Sequence, residues 1–141
     1  MTWRRKEEWT RRGTNCLVVV SRHEEAVSEY DRDRGPHRWC VYAYVYPKHP
    51  LFDRIATRTL FDAALDALPL HAGCSYNQWH ESAGAVMSKQ IGADYNHLYD
   101  EHFTHMLTKE QASVVFGDAD ALFAALHVAA AAEPVAAEVP S

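Results

Sequence analysis

The sequence predicts an α+β fold: a two-layer sandwich of about four mostly antiparallel strands, with two helices on one face of the sheet. Two kinds of pattern support this: short runs of β-branched or alternating apolar residues, and longer segments whose apolar residues recur with helical period. The length of 141 residues, with 48% hydrophobic and 23% charged residues, is typical of one globular domain. We place that domain at residues 15–128, between a basic N-terminal arm (1–14) and a flexible C-terminal tail (129–141).

Four segments are predicted to be strands. Residues 16–20 form a short β-branched apolar run, and a polar loop that ends at Gly35-Pro36 follows it. Residues 72–79 and 85–95 are predicted to be two strands joined by a turn near residues 82–84. Residues 37–46 alternate strictly, so this strand has two different faces. One face carries Trp39, Val41, Ala43 and Val45, and the other carries Cys40, Tyr42, Tyr44 and Tyr46.

Two segments are predicted to be helices. Residues 53–67 have an apolar stripe at helical spacing, and Pro69 ends them. The second helix begins at a capping-box motif, Thr108 to Gln111, and extends to about His127, with Gly117-Asp118 as a candidate kink. The alanine-rich segment after it contains two prolines, so we expect it to fray. The stripe of the second helix is Ala112, Val115, Phe116, Ala119, Leu122, Phe123 and Leu126.

The charge distribution bears on the class of partner. The net charge is −5, but residues 1–12 carry five basic and two acidic side chains, which leaves about −8 on the rest. An acidic body disfavours nucleic acid as a partner except at the N-terminal arm, where Trp3, Trp9 and the basic residues could grip a phosphate or an acidic partner. The alternative is that these charges are only solvated.

Three cysteines without a CxxC pair, and a charged start instead of a signal peptide, predict reduced thiols and a cytoplasmic location. No stretch approaches the roughly 18 consecutive apolar residues of a membrane span, so we expect no membrane partner. The sequence has no G-x-S-x-G elbow, P-loop or G-x-G-x-x-G motif, which excludes esterase, kinase and dinucleotide-binding interpretations.

The chain contains nine histidines, and they concentrate between residues 71 and 105 together with carboxylates. Imidazole and carboxylate side chains can bind a divalent metal ion or act as an acid/base pair, because a carboxylate fixes the tautomer of a nearby imidazole. The candidate ligands are His71, Asp94, His97 and Asp100, with His102 in support. The spacing matches no established ligand motif, and the alternative is that these are polar turn residues after a strand. We expect no cofactor other than such a metal ion.

Aromatic side chains offer a second candidate surface. Tyr42, Tyr44 and Tyr46 share one face of a strand. Further along the chain lie Tyr76, Trp79, Tyr95 and Tyr99. Such a row could stack a planar ligand or form an interface with a protein. The alternative is that this face packs under the helices, since aromatic residues are ordinary strand formers.

Three segments resemble a group of small uncharacterised proteins common in phages and mobile elements. They are W-C-V-Y-A-Y-V-Y-P-K-H-P (39–50), L-P-L-H-A-G-C-S-Y (68–76) and I-G-A-D-Y-N-H-L-Y-D (91–100), and the likeness covers residues 15–127. The group's pattern is P-K-H-P, then L-H-G-G, then G-x-D-x-x-H-x-x-D, and Ala72 replaces the first glycine of L-H-G-G here. Either the turn at residues 70–73 differs from the L-H-G-G turn of the group, or that turn does not need the conformational freedom of glycine. The resemblance implies the binding residues His49, His71, Tyr76, Asp94, His97 and Asp100, with Gly73 beside them.

Two functions from different classes follow as hypotheses. The first is a non-enzymatic phage or mobile-element protein that captures a host protein or a small ligand through its aromatic and histidine-rich surface. The resemblance implies a role as an inhibitor of host defence, by analogy alone. The second is a small metal-dependent or acid/base hydrolase that uses the histidine and aspartate residues. The open sheet face could instead form a homodimer or complete a larger assembly.

Overall fold

The computed structural model describes residues 7–30, 33–55, 63–97 and 99–137. Within these ranges it contains a five-stranded antiparallel sheet, in the order β1-β2-β3-β5-β4, and two α-helices. An α+β fold with an antiparallel sheet was predicted, with about four strands. The strands are β1 Glu7–Gly13, β2 Cys16–Glu24, β3 His37–Val45, β4 Tyr76–Ser82 and β5 Ala85–Asp94; the helices are α1 Ala63–Asp66 and α2 Ser113–Ala137, and Phe52–Arg54 and Glu101–His105 are short 3₁₀ helices.

The fifth strand, β1, lies within the segment that we interpreted as an arm. It pairs with β2 from Glu7 opposite Arg22 to Gly13 opposite Cys16, through a turn in which Asn15 has a φ of 57°. The sequence pattern conceals this strand because its outward positions are charged, as edge strands commonly are. Only Trp9 marks its inward face, and it stacks on Trp39 with 5.6 Å between the ring centroids.

Strand β3 lies at the centre of the sheet, between β2 and β5. Its alternation is confirmed, since Trp39, Val41, Ala43 and Val45 are all buried in the core. Burial of this face fixes the register on both sides, because a slip of one residue would turn the apolar side chains away from the core. The opposite face carries Cys40, Tyr42 and Tyr44, which pair with Ser21, Val19 and Leu17 on β2.

Helix α2 packs its apolar stripe against β1, β2 and β3. The capping box is confirmed: the Gln111 N–H donates to Thr108 Oγ1, and the Thr108 N–H donates to Gln111 Oε1, each at 3.1 Å. The helix runs through Gly117 and continues past His127, where we had predicted its end, to Ala137. Alanine has the highest intrinsic helix propensity, which explains why the helix extends into the segment expected to fray.

The segment before β4 is held by a buried lysine. The Lys89 ammonium donates to the carbonyl oxygens of Phe52 (2.5 Å) and Ile55 (2.9 Å), and it lies 4.0 Å from the centroid of the Trp79 ring. These contacts compensate for the loss of water around a buried charge. Of the first predicted helix (53–67), only the two ends are described, and residues 56–62 lie outside the described residues.

Residues Ser113–Ala131 of α2 are long and apolar enough, by length and composition, to cross a membrane, which the sequence analysis had not anticipated. The buried stripe of this helix belongs to the hydrophobic core, and the core helix of a globular protein meets the same criteria.

Two glycine substitutions, one in strand β5 and one in helix α2, test the packing around each residue. A Cβ atom at Gly92 would lie 2.6 Å from Tyr42 Cδ1 and would also meet the Val41 carbonyl oxygen, whereas a Cβ at Gly117 meets nothing within 4 Å. We expect Gly92→Ala to lower the free energy of unfolding by about 2–3 kcal/mol through overpacking. Gly117→Ala should raise it by about 0.5–1 kcal/mol, because alanine favours helix. Urea denaturation would measure both, and equal effects would contradict the packing described.

Candidate functional site

Three of the predicted metal-binding residues lie together beyond the end of β5. One ligand atom from each of His71, His97 and Asp100 lies within 4.8 Å of the other two. His71 Nε2 is 3.0 Å from each carboxylate oxygen of Asp100, and His97 Nδ1 is 3.1 Å from Asp100 Oδ2. We call these three residues the His71 cluster. The turn interpretation alone does not account for this convergence, because His71 comes from a separate segment, 29 residues before Asp100.

The turn that carries His71 is tied to β5 by Ser75. The Ser75 N–H donates to the Gly92 carbonyl oxygen at 2.9 Å, and the Asp94 N–H donates to Ser75 Oγ at 3.2 Å. Within the turn, Ala72 has a φ of 56° and Gly73 a φ of 85°. Both residues therefore adopt the left-handed conformation, and Ala72 does so despite its Cβ atom.

The second turn carries His97 and Asp100. It begins where the Tyr95 N–H donates to the Trp39 carbonyl oxygen, and the Asp100 N–H then donates to the His97 carbonyl oxygen at 3.0 Å. In return, the His97 N–H donates to Asp100 Oδ2 at 2.9 Å. Tyr99, just before Asp100, has a φ of 74°, a second strained residue beside the cluster.

The His71 ring lies on an aromatic base formed by Tyr95 and Phe103. It stacks on Tyr95, with centroids 4.2 Å apart and planes at 16°, and its edge meets Phe103. The buried Tyr95 hydroxyl donates to Asp118 on α2. Burial raises the pKa of Tyr95, and the Asp118 carboxylate raises it further. The hydroxyl therefore stays protonated and links the site to the core helix.

Asp100 is 5% exposed, yet it is the charged member of the cluster. Burial by itself raises the pKa of its carboxyl group, but hydrogen bonds from the His97 N–H and from the two imidazoles outweigh burial and lower that pKa below its ordinary value. An ionised carboxylate accepts, so His71 donates to it through Nε2–H and His97 through Nδ1–H. Both histidine side chains are partly exposed, unlike Asp100.

Asp94 and Tyr76 lie beside the cluster, not within it. Asp94 Oδ1 is 3.5 Å from His97 Nδ1, and it accepts a hydrogen bond from the Asn96 N–H at 3.1 Å. The Tyr76 ring meets the Tyr42 ring edge-on, with 5.1 Å between the centroids. Of the four candidate ligands, the structure thus brings together His71, His97 and Asp100, while Asp94 is a neighbour of His97.

His49 lies apart from the others. It is 2% exposed, its Nδ1 accepts from the Leu51 N–H at 3.1 Å, and its Nε2 lies 3.0 Å from the Leu126 carbonyl oxygen. Burial lowers its pKa, and the bond to Leu126 opposes that shift only in part, so the ring is neutral and donates to α2. Both nitrogens are thus used inside the fold, which assigns His49 a structural role instead of the predicted binding role.

Sequence reasoning missed His80, and it named Tyr95 only as a member of an aromatic wall, not as the ring beneath His71. Tyr95 follows the last residue of β5, and the alternation of that strand would have placed it on the core side, under the histidines. His80 shares one face of β4 with Tyr76, and it stacks on Tyr44 with centroids 5.9 Å apart. The pairing of β3 with β5 and of β5 with β4 brings these rings together, and the sequence alone does not reveal that order.

Comparison with known proteins gives no relative: no protein-family description, no curated protein and no solved structure matches this chain. The geometry of the chain itself therefore carries the functional argument.

The strained turn beside His71 can be tested by exchanging its two residue types. Ala72→Gly should raise the free energy of unfolding by about 0.5–1 kcal/mol, because glycine relieves the left-handed strain at some entropic cost. Gly73→Ala should lower it by about 1 kcal/mol, although a Cβ there meets no atom within 4 Å. Thermal and urea unfolding would report both. A stabilising Gly73→Ala would show that the turn has another conformation.

Proposed function

We propose that this protein is a small cytoplasmic binding protein that captures a host protein or a small ligand. The binding surface is the open face of the sheet, defined by Tyr42, Tyr44, Tyr76 and His80, together with the adjoining His71 cluster. The proposal takes the fold to be a two-layer sandwich in which both helices cover the other face. The observation that carries the proposal is the continuous row of aromatic and polar side chains on this face.

The row consists of two ring pairs. Tyr42 meets Tyr76, and Tyr44 stacks on His80 with an interplanar angle of 25°. His80 Nε2 is 2.8 Å from Gln90 Oε1, which fixes the orientation of the imidazole. Tyr76 and His80 lie on β4, next to solvent. Aromatic rings with a polar group at one end are enriched at recognition surfaces because they cover a large area with few rotatable bonds.

The centre of the open face is rigid. Tyr42 lies against Gly92, where any larger residue would collide with it. Burial raises the pKa of the Tyr42 hydroxyl, and the neighbouring Cys40, Tyr76 and Asp94 raise it further, so it remains a hydrogen-bond donor at neutral pH. A surface that is already ordered loses little conformational entropy when it binds, which favours affinity.

The open face continues into the His71 cluster through Asp94. This carboxylate acts electrostatically on Tyr42 and lies 3.5 Å from His97 Nδ1. Asp94 thereby connects Tyr76 on the open face with His71, His97 and Asp100 of the cluster. Together they are five of the six binding residues that the resemblance to phage proteins implies, and that resemblance also suggests inhibition of host defence as the biological role.

Substitutions on the open face should abolish capture while the fold remains intact. Tyr76→Ala and His80→Ala should each weaken binding of the captured molecule about 30-fold or more, the effect of losing a hot-spot side chain. The control is Val114→Ala, since Val114 is exposed on α2. Immobilised wild-type protein and variants would be exposed to host lysate and to a metabolite library, and dissociation constants would be measured by calorimetry for what is retained.

Three results of this experiment would contradict the proposal. In the first, the wild type retains nothing at micromolar concentration. In the second, Val114→Ala weakens capture as much as Tyr76→Ala does. In the third, the wild type is a homodimer that Tyr76→Ala converts to a monomer, which would assign the open face to self-association.

A second candidate function is an acid/base hydrolase, and the pairing of His71 with Asp100 favours it. The carboxylate holds the Nε2–H, which leaves the Nδ1 lone pair of His71 to accept a proton from water. Turnover of model esters and phosphodiesters should then occur with the wild type and fall at least about 100-fold in Asp100→Asn, whose amide cannot stabilise the imidazolium. His127→Ala is the control, since His127 is exposed on α2 and lies outside the pair. The absence of turnover in the folded wild type would exclude this candidate.

A further inference from the structure

We infer that His71, His97 and Asp100 form a binding site for a divalent first-row transition-metal ion of the Zn²⁺ class, held by His71 Nε2, His97 Nδ1 and an Asp100 carboxylate oxygen. This inference goes beyond the proposed capture of a partner and does not depend on it, since the open face could bind its partner without a metal ion.

The distances between the donor atoms carry the inference. His71 Nε2 and His97 Nδ1 lie 3.0 Å and 3.1 Å from the Asp100 carboxylate, and one ligand atom from each of the three residues lies within 4.8 Å of the other two. Ligand atoms about 2.0–2.2 Å from a common tetrahedral metal ion are separated by similar distances. A metal ion would replace the two shared protons, and each neutral imidazole would carry its proton on its outer nitrogen.

The surroundings of the cluster already orient its side chains. The His71 ring is held by stacking on Tyr95, whose hydroxyl is tied to Asp118. Asp94 Oδ1 lies 3.5 Å from the same His97 Nδ1, so this carboxylate is on the side of the imidazole where the ion would bind. Groups that fix the rotamers of ligands in this way are typical of metal sites and raise affinity, because less order must be gained when the ion binds.

The backbone next to two of the ligands is strained. Ala72 and Tyr99, neighbours of His71 and Asp100, both have positive φ although neither is glycine. Such conformations cost about 1–3 kcal/mol each and persist where a fixed geometry is required. Here they bring two separate turns close enough for the imidazoles of His71 and His97 to reach the same carboxylate.

The ligand set determines the class of ion. Two imidazoles with one carboxylate suit Zn²⁺, Fe²⁺, Co²⁺ or Ni²⁺, whereas Mg²⁺ and Ca²⁺ require mostly oxygen ligands. Three protein ligands leave at least one coordination position open on a tetrahedral ion. Because the two imidazoles are partly exposed, that position would face the solvent side and could accept water or an anionic group of a ligand.

The test measures Zn²⁺ binding to protein purified without an affinity metal. Equilibrium dialysis with elemental mass spectrometry should find one Zn²⁺ per chain, and calorimetry should give at least about 100-fold weaker binding for His97→Ala. His127→Ala is the matched control, since His127 is exposed on α2 and lies outside the cluster. It should keep the wild-type affinity. Circular dichroism would verify that each variant is folded.

A second measurement keeps the test valid if His97→Ala does not fold. Co²⁺ added to the wild type should produce the intense visible absorption of a tetrahedral nitrogen and oxygen site, and Zn²⁺, but not Mg²⁺, should abolish it. The inference is overturned if the folded wild type takes up no Zn²⁺ or Co²⁺, or if Mg²⁺ competes equally well. It is also overturned if His97→Ala folds and binds Zn²⁺ as tightly as the wild type. None of these measurements requires the captured partner, so failure here leaves the proposed function open.

Discussion

The burial of one face of β3 is the constraint on which the rest of the structure depends. Trp39, Val41, Ala43 and Val45 are buried, and they pack with the stripe of α2 in a single core. A one-residue slip on either side would expose these side chains, so the registers of β2 and β5 are fixed together. The same alternation directs Tyr42 and Tyr44 to the opposite face. The core and the tyrosines on the opposite face are therefore two consequences of one pattern.

The core also determines where the His71 cluster can form. The Trp39 carbonyl oxygen accepts a hydrogen bond from the Tyr95 N–H. This bond continues the pairing of β3 and β5 one residue beyond the end of β5. Tyr95 then presents its ring to His71 and its hydroxyl to Asp118. A movement of α2 or of the end of β5 would consequently displace the base on which the imidazole stacks. This connection gives a partly exposed cluster the rigid support that binding sites require.

The buried polar groups separate into those that serve the fold and those that face outward. His49 and Lys89 satisfy backbone carbonyl oxygens and are enclosed by the core elements. Asp100 is as buried as Lys89, but its partners are two imidazoles that reach solvent. Hydrogen bonds from the two imidazoles thus offset the free energy needed to bury the Asp100 carboxylate. These donors are partly exposed, whereas the partners of His49 and Lys89 are backbone groups inside the fold.

The sequence by itself determined the strands with clear alternation, the turn at residues 82–84, the capping box at Thr108 and the residues of the α2 stripe, because each depends on neighbours within a few positions. It also identified His71, His97 and Asp100 as residues of interest.

The tertiary structure decided the rest. Only strand pairing showed that β1 is an edge strand and that Tyr44 meets His80. Only the folded chain separated His49 from His71 and brought His71 to Asp100 across 29 residues of sequence. A local sequence pattern reflects secondary-structure propensity and shows which face of a helix or strand is apolar. Contacts between distant residues depend instead on how the helices and strands pack, and a local pattern carries no information about that packing.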